Sequence, residues 1–246
     1  MADVVEPNMS QHQPASYSVY QRTGGIDTRG ALETTVAGER LLLYPERGAF
    51  IPRLGTAVVA DLHWGKAATF RAANIPIPTG TTAADLARLT RFIARTNAAR
   101  LVVLGDLIHA RAGRHRDTFA ALQAWREQHE SLEIVLVRGN HDVHAGDPPA
   151  SLRIETVDAP WYLGPFACEH EPVPRPGAYV LAGHLHPSVT IAGKARQRER
   201  LCCFAFGPGV GILPAFASFT GGGAYTRAED DRIFAIVEDE VVAIGA

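Results

Sequence analysis

Cysteine is scarce in this chain and follows no recognised pattern. The 246 residues contain only three cysteines, Cys168, Cys202 and Cys203. They lack the CxxC spacing of a zinc or redox site, and their odd number does not suit a disulfide framework. The sequence therefore predicts a protein of a reducing compartment, which we take to be the cytoplasm.

Targeting and membrane segments are also missing. The chain begins MADVVE, without the basic and apolar regions of a secretory signal. Residues 201–219 are uncharged and long enough to span a membrane, but five glycines and prolines interrupt them. Because these residues break helices, we expect strands and loops there, in a soluble protein with no membrane partner.

A strong charge of one sign is absent as well. The 24 Lys and Arg residues nearly balance the 26 Asp and Glu residues, leaving a net charge of -2. This balance argues against a protein that coats nucleic acid non-specifically, although it allows a local basic groove. The apolar fraction of 46% and the charged fraction of 20% are typical of a globular domain.

The beginning of the chain differs in composition from the rest. Residues 1–32 are rich in Gln, Ser, Pro and Gly and show little apolar periodicity. They are predicted to form a disordered leader. Residues 33–246 are predicted to form one domain, a length that suits a single folding unit.

The first half of this domain alternates strands and helices. Two short strands, at 40–44 and 49–51, precede three continuous apolar runs at 56–60, 101–104 and 134–137. Amphipathic helices at 82–97 and 118–130 separate the runs, an order that predicts a largely parallel sheet buried on both faces.

The second half is predicted to consist of eight short strands. They are placed at residues 154–157, 161–163, 166–168, 179–181, 188–191, 201–206, 234–238 and 241–244. A helix-flanked half followed by a strand-rich half predicts an α/β fold with two packed sheets and helices outside them.

Polar residues follow each of the three apolar runs. The first run leads into Asp61 and His63, the second into Asp106, and the third into Asn140 and His141. Because ligands bind beyond the carboxyl ends of strands in open α/β sheets, we expect these side chains to converge. The two-residue spacing of Asp61 and His63, and of His184 and His186, predicts that each pair projects to one side of an extended segment.

The converging residues form a candidate metal site of oxygen and imidazole ligands without thiolate. Such a set suits Mn²⁺, Fe or Zn²⁺. Seven candidates exceed the needs of one ion and would serve two ions about 3.5–4 Å apart that share a bridging carboxylate. The seven are Asp61, His63, Asp106, Asn140, His170, His184 and His186.

Each motif alone has an ordinary interpretation, since Gly-Asp after a strand is also a common turn.

One of the seven candidate ligands, His170, has an alternative. His170 follows a predicted strand end, which favours it, whereas His144 lies in a turn rich in glycine and proline and stays an alternative.

The order of the motifs resembles the calcineurin-like metallophosphoesterase superfamily. It runs Asp-x-His, Gly-Asp, Gly-Asn-His-Asp, His and Gly-His-x-His, from Asp61 to His186. Longer strings, DLHWGK at 61–66, GDLIHAR at 105–111, GHLHP at 183–187, and LPAF before FTGG at 213–222, are similar to one clade. This clade comprises the ligase-associated DNA damage response endonucleases, bacterial enzymes encoded beside a DNA ligase and a helicase. Trp64 stands where a smaller apolar residue is expected.

The resemblance implies a four-layer α/β/β/α sandwich of two mixed sheets and a role for each site residue. Asp61, His63 and His186 would hold one metal, Asn140, His170 and His184 the other, and Asp106 would bridge them. His141 would stabilise the scissile phosphate or protonate the leaving oxygen, with Asp142 orienting its imidazole. The implied cofactors are two divalent ions, with Mn²⁺ expected, and the implied reaction is attack on phosphorus by a metal-bridging hydroxide.

Basic residues suggest where a substrate would bind. Lys66 and Arg111 follow the first two motifs and could hold phosphate oxygens. Two clusters could form a nucleic-acid track or remain solvated surface: Arg111, Arg114, His115 and Arg116, and Lys194, Arg196, Arg198 and Arg200. On a strand, the alternating second cluster would place its four charges on one face.

The leading hypothesis is a Mn²⁺-dependent endonuclease that cleaves single-stranded DNA during repair. The resemblance also implies a functional association with a DNA ligase and a helicase. A phosphodiesterase or pyrophosphatase of nucleotides or lipid precursors is an alternative. A non-catalytic scaffold is another, although it should have lost ligands. The sequence leaves the native metal and any oligomer open.

Overall fold

The computed structural model describes residues 25–75, 77, 80–192, 198–218 and 220–245. These residues contain sixteen β-strands and four α-helices, arranged around two β-sheets. No helix in this part of the chain is long and apolar enough to cross a membrane.

The first sheet has seven strands, which lie in the sheet in the order of the sequence. The first four strands pair antiparallel, whereas β4 to β7 pair parallel. The strands are β1 (Leu32–Val36), β2 (Glu39–Tyr44), β3 (Gly48–Ile51), β4 (Thr56–Ala60), β5 (Arg100–Leu104), β6 (Glu133–Val137) and β7 (Glu155–Val157).

The second sheet has nine strands and is also mixed. The strands are β8 (Trp161–Leu163), β9 (Phe166–Cys168), β10 (Tyr179–Ala182), β11 (Pro187–Ala192), β12 (Arg198–Phe206), β13 (Val210–Ile212), β14 (Gly223–Ala224), β15 (Arg232–Val237) and β16 (Glu240–Ile244). Their order is β14-β11-β12-β13-β10-β9-β8, with β15 and β16 joined through β12. Strand β10 is parallel to both of its neighbours, β9 and β13.

The helices are α1 (Lys66–Ala72), α2 (Thr81–Thr96), α3 (Arg116–Gln128) and α4 (Asn140–Ala145). Alternate residues of the central strands face different layers, as the two-residue period of a strand requires. Val103 belongs to a core cluster with Leu89 and Phe92 of α2, whereas Val102 belongs to a separate cluster with Leu181 and Phe204 of the second sheet. The predicted fold class, two packed mixed sheets flanked by helices, is therefore confirmed.

The predicted leader contacts the domain at its end. The backbone N–H of Asp27 donates to the carbonyl of Arg95 at 2.8 Å, and Val241 donates to Gly30 at 2.9 Å. Strand β1 begins at Leu32, the last residue of the predicted leader. Residues 1–24 lie outside the described residues, so their disorder and the domain boundary stay predictions.

Candidate metal centre

The carboxyl ends of three neighbouring parallel strands lie level with one another. Ala60 of β4 pairs with Leu104 of β5, and Leu104 pairs with Val137 of β6. The next few residues after each strand include Asp61, Asp106 and Asn140. In the second sheet, the parallel strands β9 and β10 lead in the same way into His170 and His184.

The backbone turns sharply at the candidate ligands. Asp61, His63, Asp106, His184 and His186 all have positive φ angles, between 44° and 68°. Few residues other than glycine adopt this left-handed conformation, and it concentrates at functional sites. The extended geometry predicted for the Asp-x-His and His-x-His segments is therefore wrong. In the first segment, hydrogen bonds from the N–H of Asp61 to Gly105 and from that of His63 to Asp106 hold the turn.

One group of candidate ligands consists of Asp61, His63 and His186. Their ligand atoms lie within 4.8 Å of one another. Nε2 of His186 is 3.4 Å from Oδ1 of Asp61 and 3.4 Å from Nε2 of His63. Nδ1 of His186 lies 3.3 Å from the carbonyl oxygen of Gly221. Because a carbonyl only accepts, Nδ1 carries the proton and the lone pair of Nε2 faces the group.

A second group is formed by Asp61, Asp106 and His170. Nδ1 of His170 donates to the carbonyl of Leu104 at 3.1 Å, which leaves the lone pair on Nε2. That Nε2 is 2.8 Å from Oδ1 of Asn140, 3.0 Å from Nδ1 of His184 and 3.5 Å from Oδ1 of Asp106. The structure thus brings all seven sequence-predicted ligands into one continuous cluster.

His144, the alternative ligand, is exposed and makes its contact outside this cluster. Its side chain is exposed on α4, and its carbonyl oxygen accepts a hydrogen bond from Nε of Arg111 at 3.0 Å. His170, in contrast, is only 3% exposed. The geometry therefore favours His170 as the candidate.

The cluster fits a divalent cation. Asp61 is fully buried, and its Oδ1 has no hydrogen-bond partner among the described residues. An unpaired buried carboxylate oxygen is costly, and a cation would offset that cost. Burial lowers the pKa of His63 to about 2, so its imidazole is neutral and can donate a lone pair.

The comparisons with known proteins agree with this chemistry. A family model for the calcineurin-like phosphoesterases matches residues 55–162, which include β4 to β6 and the motifs after them. A crystal structure of nuclease MPE from Pseudomonas putida also matches, and the sequence of that nuclease is 41% identical to this chain. The similarity covers 86% of this chain and 100% of that one, with a TM-score of 0.76.

The chain belongs to the calcineurin-like phosphoesterase family. The resemblance predicted from the motifs is thereby confirmed, and the protein is a hydrolase that acts on phosphoesters. No curated protein sequence matches the chain. Family members use divalent metals, which agrees with the two groups of candidate ligands.

His141 of the phosphoesterase is held beside the cluster by a backbone group. Its Nδ1 donates to the carbonyl oxygen of His109 at 2.7 Å, and its Nε2 lies 3.8 Å from Oδ2 of Asp106. The resemblance predicts that Asp142 orients this imidazole, and the structure differs. The Asp142 carboxylate instead accepts from the N–H groups of Leu107, Ile108 and Gly139. Asp142 therefore joins the second and third motifs.

His109 is a further residue of the site that the motifs do not predict. Its ring stacks on His141 with centroids 4.9 Å apart and also stacks with Phe70 at 6.1 Å. Burial lowers its pKa to about 4, and Lys66 and His141 act in the same direction. The signal in the sequence is its place three residues after Asp106, within the string GDLIHAR.

The predicted phosphate-binding residues differ in their surroundings. Lys66 is half-buried at the start of α1, and burial lowers its pKa even though Asp61 and Asp106 act to raise it. Both carboxylates therefore attract the Lys66 ammonium group electrostatically. Arg111 is exposed, and its Nε donates a hydrogen bond to the backbone carbonyl of His144 in α4.

The two predicted basic clusters are only partly available to a ligand. The Arg114 guanidinium donates to the carbonyls of Ala145, Gly146 and Asp147, at 3.0 to 3.1 Å, and so caps the end of α4. In the other cluster, Arg198 and Arg200 are exposed on β12. Lys194 and Arg196 lie outside the described residues, as does Phe219 of the FTGG string.

Trp64, the departure from the clade pattern, is a core residue. It is 4% exposed and meets the ring of Trp125 edge to face at 6.3 Å. The large side chain therefore fills the space between α3 and the segment after β4.

Proposed function

We propose that the protein is a two-metal phosphodiesterase that cleaves DNA. The observation that carries this proposal is the arrangement around Asp106. Its Oδ1 faces His170 at 3.5 Å, and its Oδ2 faces His63 at 4.0 Å. One carboxylate thus faces both groups of candidate ligands, which is the arrangement that a bridging ligand requires.

The proposed roles follow from these groups. Asp61, His63 and His186 would hold one cation, Asn140, His170 and His184 the other, and Asp106 would join them. Two bound cations supply a strong nucleophile near neutral pH and neutralise charge that develops on the phosphoryl oxygens. Oxygen and imidazole ligands suit Mn²⁺, which we propose as the native metal.

His141 has a separate role in the proposed reaction. Because its Nδ1 donates to the carbonyl of His109, its Nε2 remains for the substrate. The side chain is 37% exposed, so a phosphodiester can reach it. His141 would stabilise the scissile phosphate or protonate the leaving oxygen.

Two observations support DNA as the substrate. The Pseudomonas putida relative, aligned over its whole length, is a nuclease. The cluster also has an open side, since Asn140 and His184 are exposed beside the exposed apolar residues Val143 (67%) and Leu185 (45%). A polymer can approach such a surface, whereas a small ligand is usually enclosed in a pocket.

Finer parts of the proposal rest on the resemblance. They are the preference for single strands, the role in repair and the association with a DNA ligase and a helicase. The three cysteines are free, which supports the proposed cytoplasmic location.

Cleavage of closed substrates tests the proposal. The purified protein is incubated with circular single-stranded DNA, circular duplex DNA and a small aryl phosphodiester across Mn²⁺, Mg²⁺ and Zn²⁺. We expect Mn²⁺-dependent cleavage of the single-stranded circle, with affinity that falls as salt rises. If only the small diester is cleaved, the small-molecule phosphodiesterase replaces the nuclease. If no substrate is cleaved and no metal binds, the protein is a scaffold.

A further inference from the structure

The strings LPAF and FTGG play no part in the proposed function, yet they lie against the candidate ligands. We call residues 213–218 and 220–223 the brace. At its start, the N–H of Leu213 donates to the carbonyl of Ala182 at 2.8 Å, directly before the His-x-His segment. The brace thus begins at the end of β13, an interior strand of the second sheet, and continues toward the first sheet.

The brace holds the backbone at Asp61. Ala215 pairs with Ala60 in a parallel bridge, and the N–H of Phe216 donates to the carbonyl of Ala60 at 2.8 Å. The N–H of Ala217 then donates to the carbonyl of Asp61 itself, at 3.2 Å. Asp61 has a φ of 54°, a strained conformation that persists only where the surroundings fix it. The brace supplies one such contact.

The other end of the brace holds His186. The carbonyl of Gly221 accepts from Nδ1 of His186, and the N–H of Gly223 donates to the carbonyl of His186 at 2.8 Å. A Cβ on Gly223 would clash with the carbonyl oxygen of Leu185, so this approach requires glycine. One segment therefore fixes a ligand from each sheet.

Asp85 and Arg88 of α2, together with Arg47 of the β2–β3 turn, anchor the brace through hydrogen bonds. Asp85, 7% exposed, accepts from the hydroxyl of Ser218 at 2.5 Å and from its N–H at 3.1 Å. Arg88 donates to Ser218 Oγ and to the carbonyl of Phe216. Arg47 donates to the carbonyl of Ala217 at 2.9 Å.

Asp85 is the centre of this anchor. It pairs with Arg88 at 2.8 Å, so that one carboxylate orders both Ser218 and the guanidinium that binds Phe216. With His63 and Ala217 it also lines a small cavity of about 10 Å³. The anchor therefore lies close to His63, one of the candidate ligands.

We infer that Asp85 is a positioning residue of the metal centre. Through its hydrogen bonds to Ser218, Asp85 holds the brace, and the brace in turn fixes the positions of Asp61 and His186. The inference rests on the proposed function, because it takes these two residues as metal ligands. Groups that orient metal ligands through hydrogen bonds typically change metal affinity 10–100-fold when they are removed.

Metal binding by variants of the full chain tests the inference. Mn²⁺ affinity and stoichiometry are measured by calorimetry for the wild type, Asp85→Ala and Asp85→Asn. We expect Asp85→Ala to weaken one of the two Mn²⁺ sites about 10–100-fold. Asp85→Asn should recover most of the affinity, because its amide oxygen still accepts from Ser218. Ser218→Ala, a milder change, should fall between the wild type and Asp85→Ala.

Glu46→Ala is the matched control. Glu46 is 8% exposed and pairs at 2.8 Å with Arg95 of α2, the helix that carries Asp85. The hydrogen bonds that the structure shows for its carboxylate are to Arg95. It should lower the melting temperature as Asp85→Ala does, while both Mn²⁺ affinities stay at the wild-type values.

Three outcomes overturn the inference. The first is wild-type Mn²⁺ affinity in Asp85→Ala, or in Ser218→Ala if the Asp85→Ala variant does not fold. The second is an equal loss of Mn²⁺ affinity in Asp85→Ala and Glu46→Ala, which would mean a general loss of stability. In the third, the wild type binds no divalent ion, and that result, seen before any variant is made, overturns the proposed function as well.

Discussion

Single residues carry most of the candidate site's chemistry, and several of them hold conformations that their sequence does not suggest. Asp-x-His and His-x-His predict which residues take part, because the polar types stand at strand ends. They do not predict the positive φ of Asp61 and His184, because contacts from other segments impose it. For the same reason, the sequence could not reveal that His109 stacks on His141.

Asp106 is the residue whose loss should matter most. Asp106→Ala removes the carboxylate that faces both groups, so we expect cleavage to fall to background and affinity to drop at both metal sites. Calorimetry with Mn²⁺ and a nuclease assay measure the two effects. Asp147→Ala, which removes a half-exposed carboxylate paired with Arg138, is the control and should behave as the wild type. Two Mn²⁺ ions bound to Asp106→Ala at unchanged affinity would contradict the bridging role.

Variants of His141 and Asp142 should have different effects, the first on the rate of cleavage and the second on the stability of the fold. His141→Ala should keep both metals and slow cleavage about 10²–10⁴-fold, the range for a general acid. Asp142→Asn places an amide N–H against backbone donors, which should destabilise the fold by about 1–3 kcal/mol. Metal titration, single-turnover cleavage and denaturant unfolding measure these effects. If His141→Ala empties the metal centre instead, its assigned role is wrong.

Among the elements, strands with a continuous apolar run were predictable, including the three-residue strands β8 and β9, whereas short polar elements were not. Strands β4, β5 and β6 lie within one residue of their predicted bounds, since their apolar runs end at Gly, Asp or Arg. Helix α4 was missed because its sequence, NHDVHA, is too short and polar to show helical periodicity. The two-residue strand β14 exists only through its pairing with β11.

The end of α4 offers a test at this scale. Arg114→Ala leaves three backbone carbonyls without their charged donor, so we expect a loss of about 1–3 kcal/mol in the free energy of unfolding. Arg116, exposed at the start of α3, is the control, and Arg116→Ala should leave stability unchanged. Urea unfolding measures both. If Arg114→Ala instead keeps its stability and lowers DNA affinity with a smaller salt dependence, Arg114 belongs to a nucleic-acid track.

In the whole molecule, the candidate centre draws ligands from both sheets. Asp61, His63, Asp106 and Asn140 follow strands of the first sheet, and His170, His184 and His186 follow strands of the second. The sequence predicted two packed sheets but not how they pack, because the packing depends on side chains of both sheets, such as Val102 and Phe204, that belong to one core cluster.

Metal removal should therefore weaken the whole fold. A ligand that binds only the folded state at 100 times its Kd adds about 2.7 kcal/mol of stability. We expect the chelated protein to melt at a lower temperature than the Mn²⁺-loaded protein, and His186→Ala to reduce the difference. Differential scanning calorimetry measures both. Equal melting temperatures with chelator and with Mn²⁺ would show that no ion joins the sheets.

The contact between His63 and His186 has a consequence for how the chain folds. The two residues are 123 positions apart, and the brace that holds His186 lies later still. Contacts between distant parts of a chain form slowly, because a long loop must close before they are made. We therefore expect the centre to be completed late in folding. A chain synthesised only as far as the first Asp-x-His segment lacks the other candidate ligands, so metal binding should wait until His186 and the brace have been made.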